Sequence, residues 1–297
     1  IWGSPVITDG TVYVPSYDQR LYALDLASGE REWRFELGDI ADGTPGVADG
    51  TVVCGSFDNH VYAVDAATGE QAWRYDTGGI VRSSPTIVDG TVYIGAHCQS
   101  AECARYDHTD GVGELLALDL ATGEREWRFE TTAGIVATPA VAENAVVTGA
   151  STGELTALDR ATGETLWSYA AGALISSSPA VVDGTVYFGD VRGTFHAVDA
   201  VSGTAEWTHE SEQTRNFPSS PAVDEETVYI GGNYDGATSA GVLAFDRSGG
   251  LDWSTNLSSA GRVGSSPLVL DDHVSIGVHG SAEEGGFYGV QTHGTES

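Results

Sequence analysis

The stretch SSPAVVDGTVYFGDVRGTFHAVDAVSGTAEWTHE, Ser177–Glu210, decides the fold. PAVV (179–182) runs into Asp183-Gly184, a dipeptide that closes tight hairpins. TVYFG (185–189) alternates β-branched and aromatic residues, the pattern of a half-buried pleated strand. A variable turn leads to TFHAVDA (194–200), Ser202-Gly203 makes a second tight turn, and TAEWTHE (204–210) completes the unit. Nothing in it repeats every 3.6 residues, so no helix is expected.

The unit recurs along the whole chain. A Ser-Pro or Thr-Pro dipeptide returns at Pro5, Pro45, Pro85, Pro139, Pro179, Pro221 and Pro267. Tryptophan returns at Trp33, Trp73, Trp127, Trp167, Trp207 and Trp253. Repeats of about 40 residues with four strands each indicate propeller blades. The expected fold is therefore all-β: a single domain over 1–297, a β-propeller of seven four-stranded antiparallel blades that start near Ser4, Thr44, Ser84, Thr138, Ser178, Ser220 and Ser266. The seventh copy is incomplete, since Gln291 in GFYGVQTHG stands where the others have Asp, and no tryptophan follows. Either that blade has three strands or flanking sequence completes it, and an eight-bladed ring is the alternative.

A tighter motif lies inside the repeat: Ala-x-Asp-x-x-Thr/Ser-Gly-x-x-x-Trp, as in Ala23, Asp25, Ser28, Gly29 and Trp33. It returns from Ala63, Ala117, Ala157 and Ala197, and one residue shorter from Ala244 to Trp253. An Asp at that place can hold an Asx-type turn, Gly supplies positive φ, and Trp buries a large flat surface against a neighbour. The six motif tryptophans are thus read as structural. This repeat resembles the tryptophan-docking motif of the PQQ-like β-propellers, over the whole chain. That family includes quinoprotein dehydrogenases and the propeller lipoprotein of the bacterial β-barrel assembly machinery. The first branch implies PQQ and calcium above the propeller channel. The vicinal cysteine pair of its alcohol dehydrogenases, their large insertions and their calcium ligands have no counterpart in this sequence. The second branch implies a protein or peptide partner and no cofactor, and the compact blades resemble it more.

Composition narrows the function classes. The net charge is −30, and all 13 basic residues are arginine. So acidic a chain lacks the basic patch that phosphate recognition needs, which excludes nucleic acid and disfavours anionic membrane surfaces. At molar salt the repulsion is screened within about 3 Å, and the balance resembles that of halophilic archaeal proteins. No apolar run reaches the length of a transmembrane helix. No signal-peptide pattern follows Ile1-Trp2. A monomer, or part of a larger chain, is expected. An extracellular or cell-surface location is expected, with the cytoplasm as the alternative.

Function should lie where the copies stop agreeing. Strand alternation puts the tight turns at one end of each blade and the variable loops at the other, over the expected channel, and variable loops on rigid scaffolds carry binding. The largest departure is Ala96–Glu114, which brings together His97, Cys98, Cys103, Arg105, Asp107, His108 and Asp110. Two thiolates and two imidazoles suit zinc, a Cys98–Cys103 disulfide would staple the loop, and free thiols are the third option. Cys54 reads as a small buried residue. Arg82, Arg215 and Arg262 precede inner strands without sharing one repeat position; they could clamp an anion or simply pair with acids. Asp235 and Glu283-Glu284 read as solvated loop acids, and His196 and His209 as packed or surface side chains. No catalytic residue can be assigned. Three functions follow: a non-catalytic scaffold for a protein or peptide partner, a PQQ- and calcium-dependent dehydrogenase, or the small-ligand-sensing ectodomain of a larger surface protein.

Overall fold

The computed structural model describes residues 3–97, 112–211, 214–234, 239–258, 261–270, 273–280 and 286–291. Every regular element among them is a strand, and the strands form seven antiparallel sheets of four. The fold is a β-propeller type, each sheet one blade. Blade 1 consists of Val6–Thr8, Thr11–Ser16, Arg20–Asp25 and Arg31–Glu36, paired in chain order. Blades 2 to 6 repeat this order over 46–76, 86–131, 140–170, 180–210 and 222–258. The chain divides into two compact units, Ile1–Thr152 with Leu158–Leu166, and Gly153–Ala157 with Trp167–Ser297. The division passes through blade 4.

Turn chemistry explains the regularity. At the first hairpin of blades 1, 2, 3 and 5, Asp9, Asp49, Asp89 and Asp183 have φ near 50°, and the glycine after each is also positive. Two successive positive φ values give the turn whose twist matches that of the flanking strands. At the other tight turn, the Asp25 carboxylate accepts the Ser28 N–H and hydroxyl at 2.7 Å each. Asp65 with Thr68, Asp119 with Thr122, Asp159 with Thr162 and Asp199 with Ser202 repeat this bond. Both tight turns of a blade lie at the same end, because Leu26 N–H donates to Gly10 O and Ala66 N–H to Gly50 O, each at 2.8 Å.

These turn carboxyls are held below the ordinary aspartate range, first by the Ser or Thr hydroxyl and then by the backbone N–H. A group depressed in the folded state stabilises it fully above the unfolded value, near 4, and that stability is lost as pH falls through the folded value. In multimolar KCl, where overall repulsion is screened, acid unfolding should therefore begin below about pH 4. Replacing Asp65, Asp119 and Asp159 together by Asn should flatten that slope in a circular-dichroism titration; an unchanged slope would rule these turns out as its source.

Blades are joined by the motif tryptophans. In register, Ala23 faces Trp33, Ala63 faces Trp73 and Ala117 faces Trp127, with a bulge after each alanine. The small partner leaves the indole room to lean onto the next blade. There its N–H donates to a turn carbonyl: Trp33 to Ala66, Trp73 to Leu120, Trp127 to Arg160, Trp167 to Ala200 and Trp207 to Arg247, all between 2.8 and 3.0 Å. A Cβ built on the next blade's turn glycine would lie 2.6–2.8 Å from the indole ring. Gly69, Gly123, Gly163, Gly203 and Gly249 are therefore required twice, for positive φ and for this close approach. The Ser-Pro repeat adds a second tie, since the Ser84 hydroxyl accepts Thr44 N–H at 2.9 Å and that of Ser220 accepts Ser178 N–H at 3.1 Å.

Blade 7 departs from the pattern. Gly261–Val263 and Leu268–Val269 both pair along one edge of His273–Gly280, and Gly286–Gln291 pairs along the other. The sheet is thus three strands deep among the described residues. Arg262, read as a loop residue, sits in a short strand, because it pairs in register with His279, and the Val263 N–H beside it donates to the Asn233 side chain at 2.8 Å.

Candidate partner-binding loops

The second-to-third loops and the blade-to-blade connections meet at the end opposite the tight turns: Leu37 N–H donates to Gln19 O and Thr77 N–H to Asn59 O, both at 2.9 Å. The described sequence-derived candidates, His97, Arg82, Arg215 and Arg262, lie at this end, two in each unit.

In the first unit, Arg82 sits in the connection leaving blade 2, with its guanidinium 3.2 Å from the carboxylate of Asp42 in the previous connection. The Arg82 guanidinium also lies 5.6 Å from the centre of the Phe57 ring, a cation–π distance. Burial pushes the Asp42 carboxyl above its usual range, and the Arg82 charge offsets this only in part. One Asp42 oxygen is buried with no hydrogen-bond partner. Of the two roles open to Arg82 in the sequence, pairing with a nearby acid is the one built here. Asp42 went unnoticed in the sequence, although it carried a signal: both residues stand three before a motif proline, Pro45 and Pro85. Removing one partner of a half-buried pair strands the other charge. Arg82→Met should destabilise by about 2 kcal/mol, and adding Asp42→Asn should recover most of it. A double-mutant cycle by urea unfolding in multimolar KCl checks this; additive losses would mean the pair is not coupled.

His97 ends the second strand of blade 3, buried, and its N–H donates to Ile80 O at 3.0 Å. Ile80 is two residues before Arg82, so the structure brings His97 and the Arg82 connection together. Glu114, at the far foot of the insertion, is also buried, with Arg128 at 3.8 Å, and burial raises its carboxyl. Cys98, Cys103, Arg105, Asp107, His108 and Asp110 lie outside the described residues, as do Asp235 and Glu283-Glu284. Cys54 is buried as expected, and its thiol is pushed up to about 12, chiefly by burial.

In the second unit, Arg215 and Arg262 are both exposed, and the main chain at Arg215 and at Val263, next to Arg262, is tied to one residue, Asn233. Arg215 N–H donates to the Asn233 carbonyl at 2.7 Å, and the Asn233 side chain accepts from Val263. Sequence reading missed Asn233. It also missed the partners of His196, which is packed as expected, stacked on Phe188 with centroids 4.6 Å apart. One His196 ring nitrogen meets the Tyr169 hydroxyl at 3.1 Å, and the other lies 3.5 Å from the buried Asp190 carboxylate. Asp190 also accepts the N–H groups of Arg192 and Thr194. Burial acts to raise the Asp190 carboxyl, but these bonds outweigh it and leave it below the usual range.

Three buried acids of the loop end are each engaged by a neighbour. Asp42 is tied to Arg82, Asp190 to His196 and two backbone donors, and Glu114 faces Arg128. Among the described residues no three of His, Cys, Asp and Glu come together as a cation site.

With the repeat, the docking turns and the loop end in view, the chain can be compared with known proteins. It matches the family described as outer membrane protein assembly factor BamB over residues 1–113 and 111–279. It belongs to that family. BamB from Moraxella catarrhalis superposes with a TM-score of 0.72 at 19% identity, over 93% of this chain and 82% of that one. The quinohemoprotein alcohol dehydrogenase ADHIIG from Pseudomonas putida HK5 gives 0.72 at 15% identity, over 93% of this chain. This chain spans only 63% of that enzyme's length. A europium-containing methanol dehydrogenase gives 0.71 at 13% identity, over 97% of this chain and 77% of its own. At such identities the likeness to BamB and to the dehydrogenases alike is one of fold. No curated protein matches this sequence.

Proposed function

We propose that this BamB-family chain is a non-catalytic scaffold that binds a protein or peptide partner through its loop end, in a halophilic cell-surface setting. The observation that carries the reading is the family match over 1–113 and 111–279, joined to a loop end where the buried Asp42 and Asp190 are already held by neighbours. Regular hydrogen-bonded tight turns leave the variable connections as the places where specificity can differ. The insertion 98–111, flanked by the buried His97 and Glu114, is the main candidate contact, with Arg82, Arg215 and Arg262 beside the other connections. The net charge of −30 supports a high-salt setting, where such a chain stays soluble while its self-repulsion is screened.

Two variants test it in multimolar KCl: one with 98–111 replaced by the short connection of blade 4, the other with the exposed tight-turn residues Ala27 and Ala121 changed to Ser. Crosslinking in cells should capture the same partner with the native chain and the tight-turn variant, and lose it with the loop variant. Retention by the loop variant would remove the insertion from the reading. The dehydrogenase alternative is checked by equilibrium dialysis with PQQ and calcium; saturable one-to-one binding would replace the scaffold reading.

A further inference from the structure

The chain has five asparagines, and only Asn256 is followed two places on by a hydroxyl residue, in Asn256-Leu257-Ser258. The residue between is not proline, so the triplet is an acceptor for N-linked sugar in a chain that leaves the cytoplasm. We propose that Asn256 carries a glycan, attached through its side-chain amide nitrogen. This rests on the cell-surface part of the reading above, and not on the partner or the loop end.

The fold leaves that amide within reach. Asn256 lies in Leu251–Ser258, the outermost strand of blade 6, which pairs with Ala240–Asp246 along one edge. Along it Asp252, Ser254 and Asn256 are exposed, whereas Trp253 and Leu257 pack on the apolar cluster of Val242 and Val263. Among the described residues no partner holds the Asn256 side chain, so a sugar there breaks no hydrogen bond.

The backbone is pinned just before the acceptor and loosened just after it. The Tyr234 hydroxyl donates to the Thr255 carbonyl at 3.3 Å, with its ring over Gly241, where a Cβ would lie 2.2 Å from it. Gly241 faces Asn256 and Ala240 faces Ser258, which leaves Leu257 as the extra residue of a bulge. A transferase reads the hydroxyl and the amide together, which needs the triplet out of a regular ladder. A bulge at the end of an outer strand supplies that, since these residues can lift from the sheet while Trp253 keeps the strand in place.

The donor class is a polyprenol-phosphate-linked sugar. The Asn256 nitrogen bonds to the anomeric carbon, and the anomeric C–O bond breaks. The lipid phosphate leaves with that electron pair, and the amide gives up one proton. Nothing is oxidised or reduced.

The test is peptide mass spectrometry on the full chain isolated from the cells that make it. Cleavage after arginine releases SGGLDWSTNLSSAGR, residues 248–262, in which Asn256 is the only asparagine. Most copies should carry a sugar mass that fragmentation places on Asn256. Asn144, in the fragment 129–160, is exposed too but lacks the hydroxyl residue two places on, and should be bare. Asn256→Gln and Ser258→Ala should each lower occupancy at least about tenfold, and Ser258→Thr should keep it. An unchanged melting temperature for Asn256→Gln shows that the loss is not one of folding. Fractionation of the same cells locates the chain. A surface chain with bare Asn256, sugar only on a serine or threonine of 248–262, or full occupancy in Ser258→Ala overturns the proposal and leaves the surface reading standing. A chain found in the cytoplasm overturns both.

Discussion

Gly123→Ala should lower unfolding free energy by about 4 kcal/mol, whereas the chemically identical Gly29→Ala should cost only about 1 kcal/mol. Both glycines have φ near 72° and both sit in the same turn of the same motif. Propensity or turn strain alone makes them equal. The difference is the indole: a Cβ on Gly123 would stand 2.6 Å from Trp73, while one on Gly29 meets nothing within 4 Å. Interiors are packed at crystal density, so the ring cannot slide away without opening the seam between blades 2 and 3. It would also break the 2.8 Å bond from the Trp73 N–H to the Leu120 carbonyl and leave that carbonyl buried and unpaired. Trp73→Ala, which removes the ring instead of displacing it, should fall in the same range, about 3–5 kcal/mol. The double variant should be far from additive, since both changes destroy one contact. Urea unfolding in multimolar KCl measures all four proteins. Equal losses at Gly29 and Gly123 would show that the docked indole contributes nothing beyond the turn.

Salt should produce the second large effect. With 43 acidic against 13 basic residues, the folded chain concentrates a net charge of −30 that the unfolded chain spreads over a larger volume. Repulsion therefore weighs on the folded state, and screening relieves it: the Debye length falls from about 10 Å at 0.1 M salt to about 3 Å at 1 M. Raising KCl from about 0.1 M to 3 M should add on the order of 5 kcal/mol and lift the melting temperature by roughly 10–20 °C. Sucrose at matched osmolarity should give a smaller rise, because it does not screen. The six turn aspartates share in the charge but not in the repulsive loss, since each is held locally by a hydroxyl and backbone N–H groups. A melting temperature independent of KCl would mean that the acidic surface has no energetic bearing on folding.

The strands were legible in the sequence because each is specified within a few residues. The pattern of TVYFG, the Asp183-Gly184 turn and the Asp199-x-x-Ser202-Gly203 turn act over distances that a local reading spans, and the strands Thr185–Gly189 and Thr194–Asp199 fall where that reading puts them. The motif tryptophans were legible because each returns at a fixed spacing from a turn, although each of five docks on the next blade, as Trp33 does on the Ala66 carbonyl. The loop end was legible only as a region. Arg82 was visible and its partner was not, because Asp42 is 40 residues away and meets it only after two blades have stacked. The Asp190–His196–Tyr169 cluster was hidden likewise, its tyrosine coming from the fourth strand of the blade before.

By itself, then, the sequence determined the repeating unit, its turns, the structural role of its tryptophans and the sign of its electrostatics, since all of these follow from local spacing or from counting charges. The tertiary structure decided which copies of an identical motif are equivalent. Gly29 and Gly123 cannot be told apart by their surroundings in the chain. They differ because an indole 50 residues upstream, Trp73, lies on one of them, and no described indole lies on the other. Such contacts depend on the distance between stacked sheets, a quantity that no short window of sequence contains.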